Sequence, residues 1–179
     1  MSDWLLVVDM QPGFGHPDSP WCTPGYDAVA ERTGRLVAAY GEQVLFTRFL
    51  PPAAPQGAWQ PYYDRWPFAV DPARAALWDL DPRWAGRSSI SSPRFAKWRE
   101  AAPHLPGDAT LAICGVATDC CVLGTAVEAV DDGRHVRLIA DACAAGTPAL
   151  HEAALTVMRD RAPMLVLTDT AAELALRAG

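Results

Sequence analysis

Short apolar runs alternate with longer stretches of helical period along this chain. Trp4-Leu5-Leu6-Val7-Val8 is continuous and stops at Asp9, as in a strand buried on both faces. Gln43 to Phe49, Thr110 to Cys114 (halted by Gly115), His135 to Ala140 (ending at Asp141) and Pro163 to Leu167 repeat the plan. Between them, Tyr26 to Tyr40 places Val29, Leu36, Val37 and Tyr40 at helical spacing, and helical stretches cover roughly Cys120 to Asp131, Pro148 to Arg159 and Ala171 to Arg177. Strands alternating with helices predict βαβ units, and hence an α/β fold: a three-layer α/β/α sandwich around a mostly parallel, Rossmann-like sheet of about six strands.

The stretch from about 50 to 84 breaks the rhythm. It carries Trp59, Tyr62, Tyr63, Trp66, Phe68, Trp78 and Trp84 among many prolines, with no clear period. So long an irregular insertion in a compact domain reads as a lid or pocket wall. The plainer alternative is that its aromatics pack over the sheet edge or against a subunit partner. No repeat or linker divides residues 1–179, so one domain is expected.

Composition narrows the function classes. With 50% hydrophobic and 20% charged residues over 179 positions, the chain can bury a sizeable core and does not resemble a disordered segment. A net charge of -6 argues against a nucleic-acid surface. No apolar run reaches membrane-spanning length, and Met1-Ser2-Asp3-Trp4 shows no basic start of a secretory signal, so a cytoplasmic domain is expected. The five cysteines, Cys22, Cys114, Cys120, Cys121 and Cys143, are an odd number without zinc-ligand spacing, which leaves at least one free thiol. Lys97 is the single lysine among 15 lysines and arginines. Such a bias singles out a position where a compact ammonium fits and a guanidinium does not.

In an open parallel sheet, ligands bind outside the carboxyl ends of the strands. The residues there are Asp9, Gln11, Arg48, the segment Ser92 to Lys97, the turn Gly115 to Cys121, and Asp141. Acid and thiol together suit nucleophilic attack with proton transfer. Cys120 and Cys121 both fall at the start of a helix, with Thr118 or Asp119 as N-cap. There free amides and the positive dipole end lower a thiol pKa and can hold an oxyanion. Position alone does not choose between the two cysteines. Cys114 and Cys143 read as buried structural thiols. Asp9 is either a proton relay or a strand-end cap. Gly13-Phe14-Gly15 lacks the third glycine of a dinucleotide loop.

Two segments carry a family resemblance: Val7-Val8-Asp9-Met10-Gln11-Pro12-Gly13-Phe14, and Gly115-Val116-Ala117-Thr118-Asp119-Cys120-Cys121-Val122-Leu123-Gly124-Thr125-Ala126. Asp132-Gly133 through Ala140-Asp141-Ala142 fits as well. The sequence resembles the isochorismatase-like cysteine hydrolases, which include nicotinamidases, carbamoyl-amide hydrolases and isochorismatase. The resemblance implies that Cys121, which precedes Val-x-x-Thr, is the nucleophile and that Asp9 moves the proton. It also implies an oxyanion hole from the amides of Ala117 and Cys121, a cis peptide between Val116 and Ala117, and a homodimer or homotetramer. The implied reaction is hydrolysis of a C–N bond in a small amide through a thioester, without cofactor. Vinyl-ether hydrolysis of isochorismate type and a non-catalytic small-molecule-binding homologue are the alternatives.

Two departures matter. The family usually writes lysine ahead of an arginine–aromatic–small run, whereas Ser92-Pro93-Arg94-Phe95-Ala96-Lys97-Trp98 has Ser92 there. The expectation is that Lys97 reaches the same point from a shifted loop, because a buried thiolate and carboxylate together need a cation. The other outcomes are a Cys121–Asp9 dyad and a solvated Lys97. Family nicotinamidases also hold a metal soon after the second strand. Here Arg48-Phe49-Leu50-Pro51-Pro52 supplies no histidine, and His16, His104, His135 and His151 read as surface or capping residues, so no metal is expected. The candidate substrate contacts are Gln11, Phe14, Arg48, Trp59, Tyr63, Trp66 and Thr118.

Overall fold

The computed structural model describes residues 3–178. Its strands are β1 (Asp3–Val8), β2 (Val44–Phe49), β3 (Ser89–Ser92), β4 (Thr110–Val116), β5 (Val136–Ala144) and β6 (Leu165–Thr168). They form one sheet in the order β3-β2-β1-β4-β5-β6, every neighbouring pair parallel. The helices are α1 (Pro12–Gly15), α2 (Tyr26–Tyr40), α3 (Trp59–Arg65), α4 (Trp98–Ala101), α5 (Leu123–Asp131), α6 (Pro148–Arg159) and α7 (Thr170–Ala178). α2 packs with α7 over one face of the sheet, and α5 packs between α4 and α6 over the other. The architecture is the three-layer α/β arrangement that the alternating pattern predicts. None of the described helices is long and apolar enough to cross a membrane.

The central strands read as unbroken apolar runs because both of their faces are covered. Leu5 to Val8 and Leu111 to Val116 are buried at every residue. β1 and β4 lie at the centre, and the strand order runs outward from them in opposite directions. That switch point opens a crevice beyond their carboxyl ends. The two strands stay close there because Gly115, opposite Val8, has φ +120°, and a Cβ on it would lie 2.1 Å from the Val8 carbonyl oxygen. Asp9, the next residue after β1, takes a left-handed φ of 51°, uncommon outside glycine and tolerated best by Asp and Asn.

Pattern and structure differ in two places. β3 is Ser-Ile-Ser-Ser at the sheet edge, half-exposed along most of its length, so it carries no apolar run to signal it. The expected irregular insertion at 50–84 is instead mostly coiled: α3 is followed by short 3₁₀ turns at Pro67–Val70, Pro72–Trp78 and Pro82–Trp84. Each of these turns starts at a proline, whose fixed φ suits a first helical position. The carboxylates of Asp71 and Asp81 accept from the amides two residues on, Ala73 N at 2.9 Å and Arg83 N at 3.0 Å.

Gly115→Ala is expected to destabilise the fold by about 3 kcal/mol, near the upper end for a point substitution. A drop in the urea midpoint at unchanged slope would show it; a midpoint within error of the parent would refute the close β1–β4 approach.

Candidate active site

Asp9 is fully buried at the switch point. Its Oδ1 accepts from Thr47 Oγ1 at 2.6 Å, and its own amide donates back to that hydroxyl at 3.2 Å. Thr47 is the one polar residue of β2 that is fully buried, and it faces the end of β1 from the neighbouring strand. Lys97 Nζ approaches Asp9 Oδ2 to 3.0 Å, and both side chains are wholly inaccessible to solvent. The approach is an ion pair rather than an aligned hydrogen bond, so Oδ2 keeps a lone pair without a hydrogen-bond donor. Nζ also donates to the carbonyls of Arg94 and Phe95 and lies 5.2 Å from the centre of the Phe49 ring. Burial alone would pull the ammonium down, but Asp9, and after it the thiols of Cys121 and Cys120, hold it above the usual lysine value.

The loop leading to Lys97 explains how a lysine five positions late arrives there. Ser92 ends β3 and is itself buried, its hydroxyl accepting from Arg94 N at 3.1 Å to start the bend. The Arg94 guanidinium then grips Glu128 on α5 at 2.5 Å, with Glu100 3.9 Å away. Gly124 lets the loop press onto α5, since a Cβ there would sit 3.2 Å from the Ala96 Cβ. Finally Lys97 N donates to Thr125 Oγ1 at 2.9 Å, and that hydroxyl donates to the Cys121 carbonyl at 2.6 Å. One threonine thus ties the lysine to the cysteine turn.

That turn follows β4 directly. The Val116–Ala117 peptide is cis. Residues Thr118–Val122 form a π-turn before α5, where an α-helix from residue 120 was expected. The Ala117 carbonyl accepts the amides of Cys120 and Val122, both at 3.1 Å, and passes over the Cys121 amide between them. Neither Thr118 nor Asp119 caps the turn through its side chain, contrary to expectation: the N-cap is Ala117, and the Thr118 hydroxyl contacts His151 Nδ1 at 2.9 Å. His151 had looked like a surface residue, and it packs instead against the cysteine turn from α6.

A cavity of about 410 Å³ opens on this turn. Ala117, Asp119, Cys120 and Cys121 form its polar end; Phe14, Trp21, Phe49, Tyr62, Trp66 and Phe95 form an aromatic box, with Cys22, Thr23 and Leu150 among the remaining lining residues. Asp9 and Lys97 are not part of the wall. Trp21 is the hub of the box, its ring centre 5.0 Å from that of Phe68, 5.8 Å from Phe49 and 5.9 Å from Tyr62. Sequence reading missed Trp21, Phe49 and Phe95 as wall residues and placed Tyr62 only within the aromatic stretch; the proline-bounded Pro20-Trp21-Cys22-Thr23-Pro24, close after Asp9, was the available signal.

Of the expected substrate contacts, Phe14 and Trp66 line the cavity and five do not. Gln11 is structural: its side chain pairs both ways with the Phe49 backbone (2.7 and 2.9 Å) and donates to Trp78 O at 2.6 Å. Arg48 is turned away, paired with Asp79 at 3.5 Å and donating to Ser91 Oγ at 3.1 Å. Trp59 and Tyr63 stack on each other at 5.9 Å as a second aromatic layer, and Thr118 is held by His151. Asp141, expected just past a strand, lies inside β5, which runs on to Ala144; it receives the Thr170 amide and hydroxyl at 2.7 and 2.9 Å and so caps α7.

The thiol chemistry belongs to a pair. Cys120 is lowered, chiefly by its interaction with the Cys121 thiol, against burial and the Asp119 charge, with Lys97 assisting. Cys121 is raised by Cys120 and by burial, and Lys97 opposes the rise. The expectation of a single lowered thiol at Cys121 gives way to two thiols that share their first deprotonation and resist the second. Cys114 lies apart, pushed up to about 12 by complete burial, and Cys143 is raised for the same reason.

The family model "Isochorismatase domain" matches residues 3–172, and the chain belongs to the isochorismatase family. No curated protein matches it. Among solved structures, a cysteine hydrolase from Pseudomonas syringae pv. phaseolicola superposes with a TM-score of 0.83 at 18% identity, covering 98% of this chain and 92% of its own. An isochorismatase-like hydrolase from Alkaliphilus metalliredigens gives 0.76 at 15% identity, over 98% and 99%. A pyrazinamidase of Pyrococcus horikoshii, solved in complex with zinc, gives 0.67 at 22%, over 94% and 99%. These identities carry the fold alone. The present site does not fit a metal of that kind: among the described residues, no three His, Cys, Asp or Glu side chains gather to hold an ion.

The ammonium's effect on the thiols is measurable. In Lys97→Met, the first thiolate of the Cys120–Cys121 pair is expected to form about one pH unit higher than in the parent, since the cation that favours it is gone. Ultraviolet thiolate absorbance against pH reads the shift; an unmoved first step would exclude electrostatic contact between Lys97 and the pair.

Proposed function

We propose that the protein is a cysteine hydrolase of small amides, with Cys121 as nucleophile, Asp9 as proton carrier and Lys97 as the cation that makes the thiolate tenable. Membership of the family supports hydrolysis in general. The observation that carries the finer reading is the fully buried 3.0 Å pair of Lys97 and Asp9, within electrostatic reach of a cysteine that opens on the cavity. An unrelieved buried ion pair is costly as a structural device and valuable beside a group that must change charge. The absence of Arg, Lys and His from the described wall disfavours a carboxylated vinyl ether.

In this reading the proton of the Cys121 thiol passes to Asp9 Oδ2, the buried oxygen without a hydrogen-bond donor. The sulfur attacks the amide carbon, and the carbonyl oxygen takes up the negative charge against the Ala117 and Cys121 amides. Asp9 returns the proton to the nitrogen, the C–N bond breaks, and an amine or ammonia leaves a thioester on sulfur. Water then attacks the thioester while Asp9 takes its proton, releasing the acid and restoring the thiol. Cys121 is preferred over Cys120 because it stands before Val122 and Thr125 in the Val-x-x-Thr position that the family resemblance assigns to the nucleophile, and because the ammonium acts on it more strongly than on Cys120.

A panel of small aromatic and aliphatic amides assayed for released ammonia tests this. Cys121→Ala is expected to lose activity on the order of 10³-fold or more, and Cys120→Ser to retain it within about tenfold. The reverse ranking would transfer the nucleophile to Cys120, and activity surviving in Cys121→Ala would end the thioester reading. kcat/KM should fall as pH rises through the first titration of the thiol pair, because the proton that Asp9 must return to the leaving nitrogen is then lost to solvent.

A further inference from the structure

The cavity wall is electrically one-sided. Besides the thiols of Cys22, Cys120 and Cys121 and the Tyr62 phenol, which burial keeps protonated, its one ionisable side chain among the described residues is Asp119. Asp119 Oδ1 is buried and has no hydrogen-bond partner. Asp119 as a whole is only partly buried and lines the cavity, so its carboxylate offers a ligand an acceptor that no side chain of the protein occupies. The nearby cations do not answer it. The Lys97 ammonium is held by Asp9 and by the carbonyls of Arg94 and Phe95 outside the wall. Arg65 stacks on Trp66 at 5.2 Å from the solvent-exposed surface and does not line the cavity.

The rest of the wall points the same way. Aromatic faces carry negative potential and attract cations, most strongly when water is excluded. Phe14, Trp21, Phe49, Tyr62, Trp66 and Phe95 give such faces around most of the cavity. A thiolate of the Cys120–Cys121 pair would add a further negative charge near Asp119. A carboxylate brought into this space would meet like charge and no cation.

We infer that the substrate is a cationic amide: an apolar or aromatic body with a protonated amine that pairs with Asp119 and lies against the aromatic box while its carbonyl faces Cys121. This rests on the reading of the cavity as the substrate site. Asp119 is then the specificity-determining residue, a role separate from the chemistry at sulfur.

Three benzamides of matched size, carrying aminomethyl, hydroxymethyl or carboxylate in the para position, separate the charge from the shape. Their binding to the Cys121→Ala protein, followed by tryptophan fluorescence or calorimetry, is expected to favour the amine over the alcohol by about tenfold, with the carboxylate weakest. Adding Asp119→Asn should collapse the amine-to-alcohol ratio to near unity, with circular dichroism confirming the fold. Equal affinities, no binding of any of the three, or a ratio that survives Asp119→Asn would overturn the inference. If the double variant does not fold, the ranking of the three ligands decides. Ammonia release by the unmodified protein is scored separately. Selective binding without turnover of any amide sinks the hydrolase and leaves the cation site, and turnover without selectivity does the reverse.

Discussion

The contact on which the site depends is the ion pair of Lys97 and Asp9, sealed from water at the point where the strand order reverses. Two opposite charges in such a place stabilise a fold poorly, because desolvation offsets most of their attraction. What they provide is a polarised environment that does not reorganise when a neighbouring sulfur gains charge. Much around them serves to keep that arrangement fixed. Thr47 orients one oxygen of Asp9, two carbonyls anchor the ammonium, and Thr125 ties the lysine backbone to the carbonyl of Cys121. The left-handed turn at Asp9 and the side-chain-free Gly115 let β1 and β4 end close enough for the two halves to meet.

Much of this was legible in the chain. Continuous apolar runs revealed strands covered on both faces, and their polar terminators, Asp9 and the turn after Gly115, are the residues the sheet brings to its crevice. The lone lysine also carried a signal, since it is the one ammonium side chain among 15 lysines and arginines. Its destination did not. A shift of five residues is absorbed by a loop whose path is set by the Arg94–Glu128 grip and the small contact of Ala96 with Gly124, and neither follows from local pattern.

The parts that were hidden are hidden for physical reasons. β3 is a serine-rich edge strand, held by backbone pairing rather than by an apolar face. The cavity wall is assembled from six separate segments, so aromatic content near residue 60 identified the region and only Trp66 of the three residues chosen there. Gln11 and Arg48 looked like ligand contacts because polar residues at strand ends often are; here both are consumed by the protein's own backbone and carboxylates. The thiol pair is the clearest case. Proximity to a helix start says that a cysteine can be activated, but which of two adjacent sulfurs bears the charge depends on their mutual interaction and on the ammonium and carboxylates around them.

The aromatic box has an uneven freedom to change. Trp21 touches rings from the α1 segment, β2 and the 3₁₀ turns at once, so altering it disturbs every side of the cavity together. Phe95 and Leu150, by contrast, stand at the mouth with much of their surface in solvent. Divergence toward new substrates is therefore cheapest at the rim: a lineage can reshape what it admits through those two positions while the interior, and the chemistry behind it, passes unchanged from ancestor to descendant.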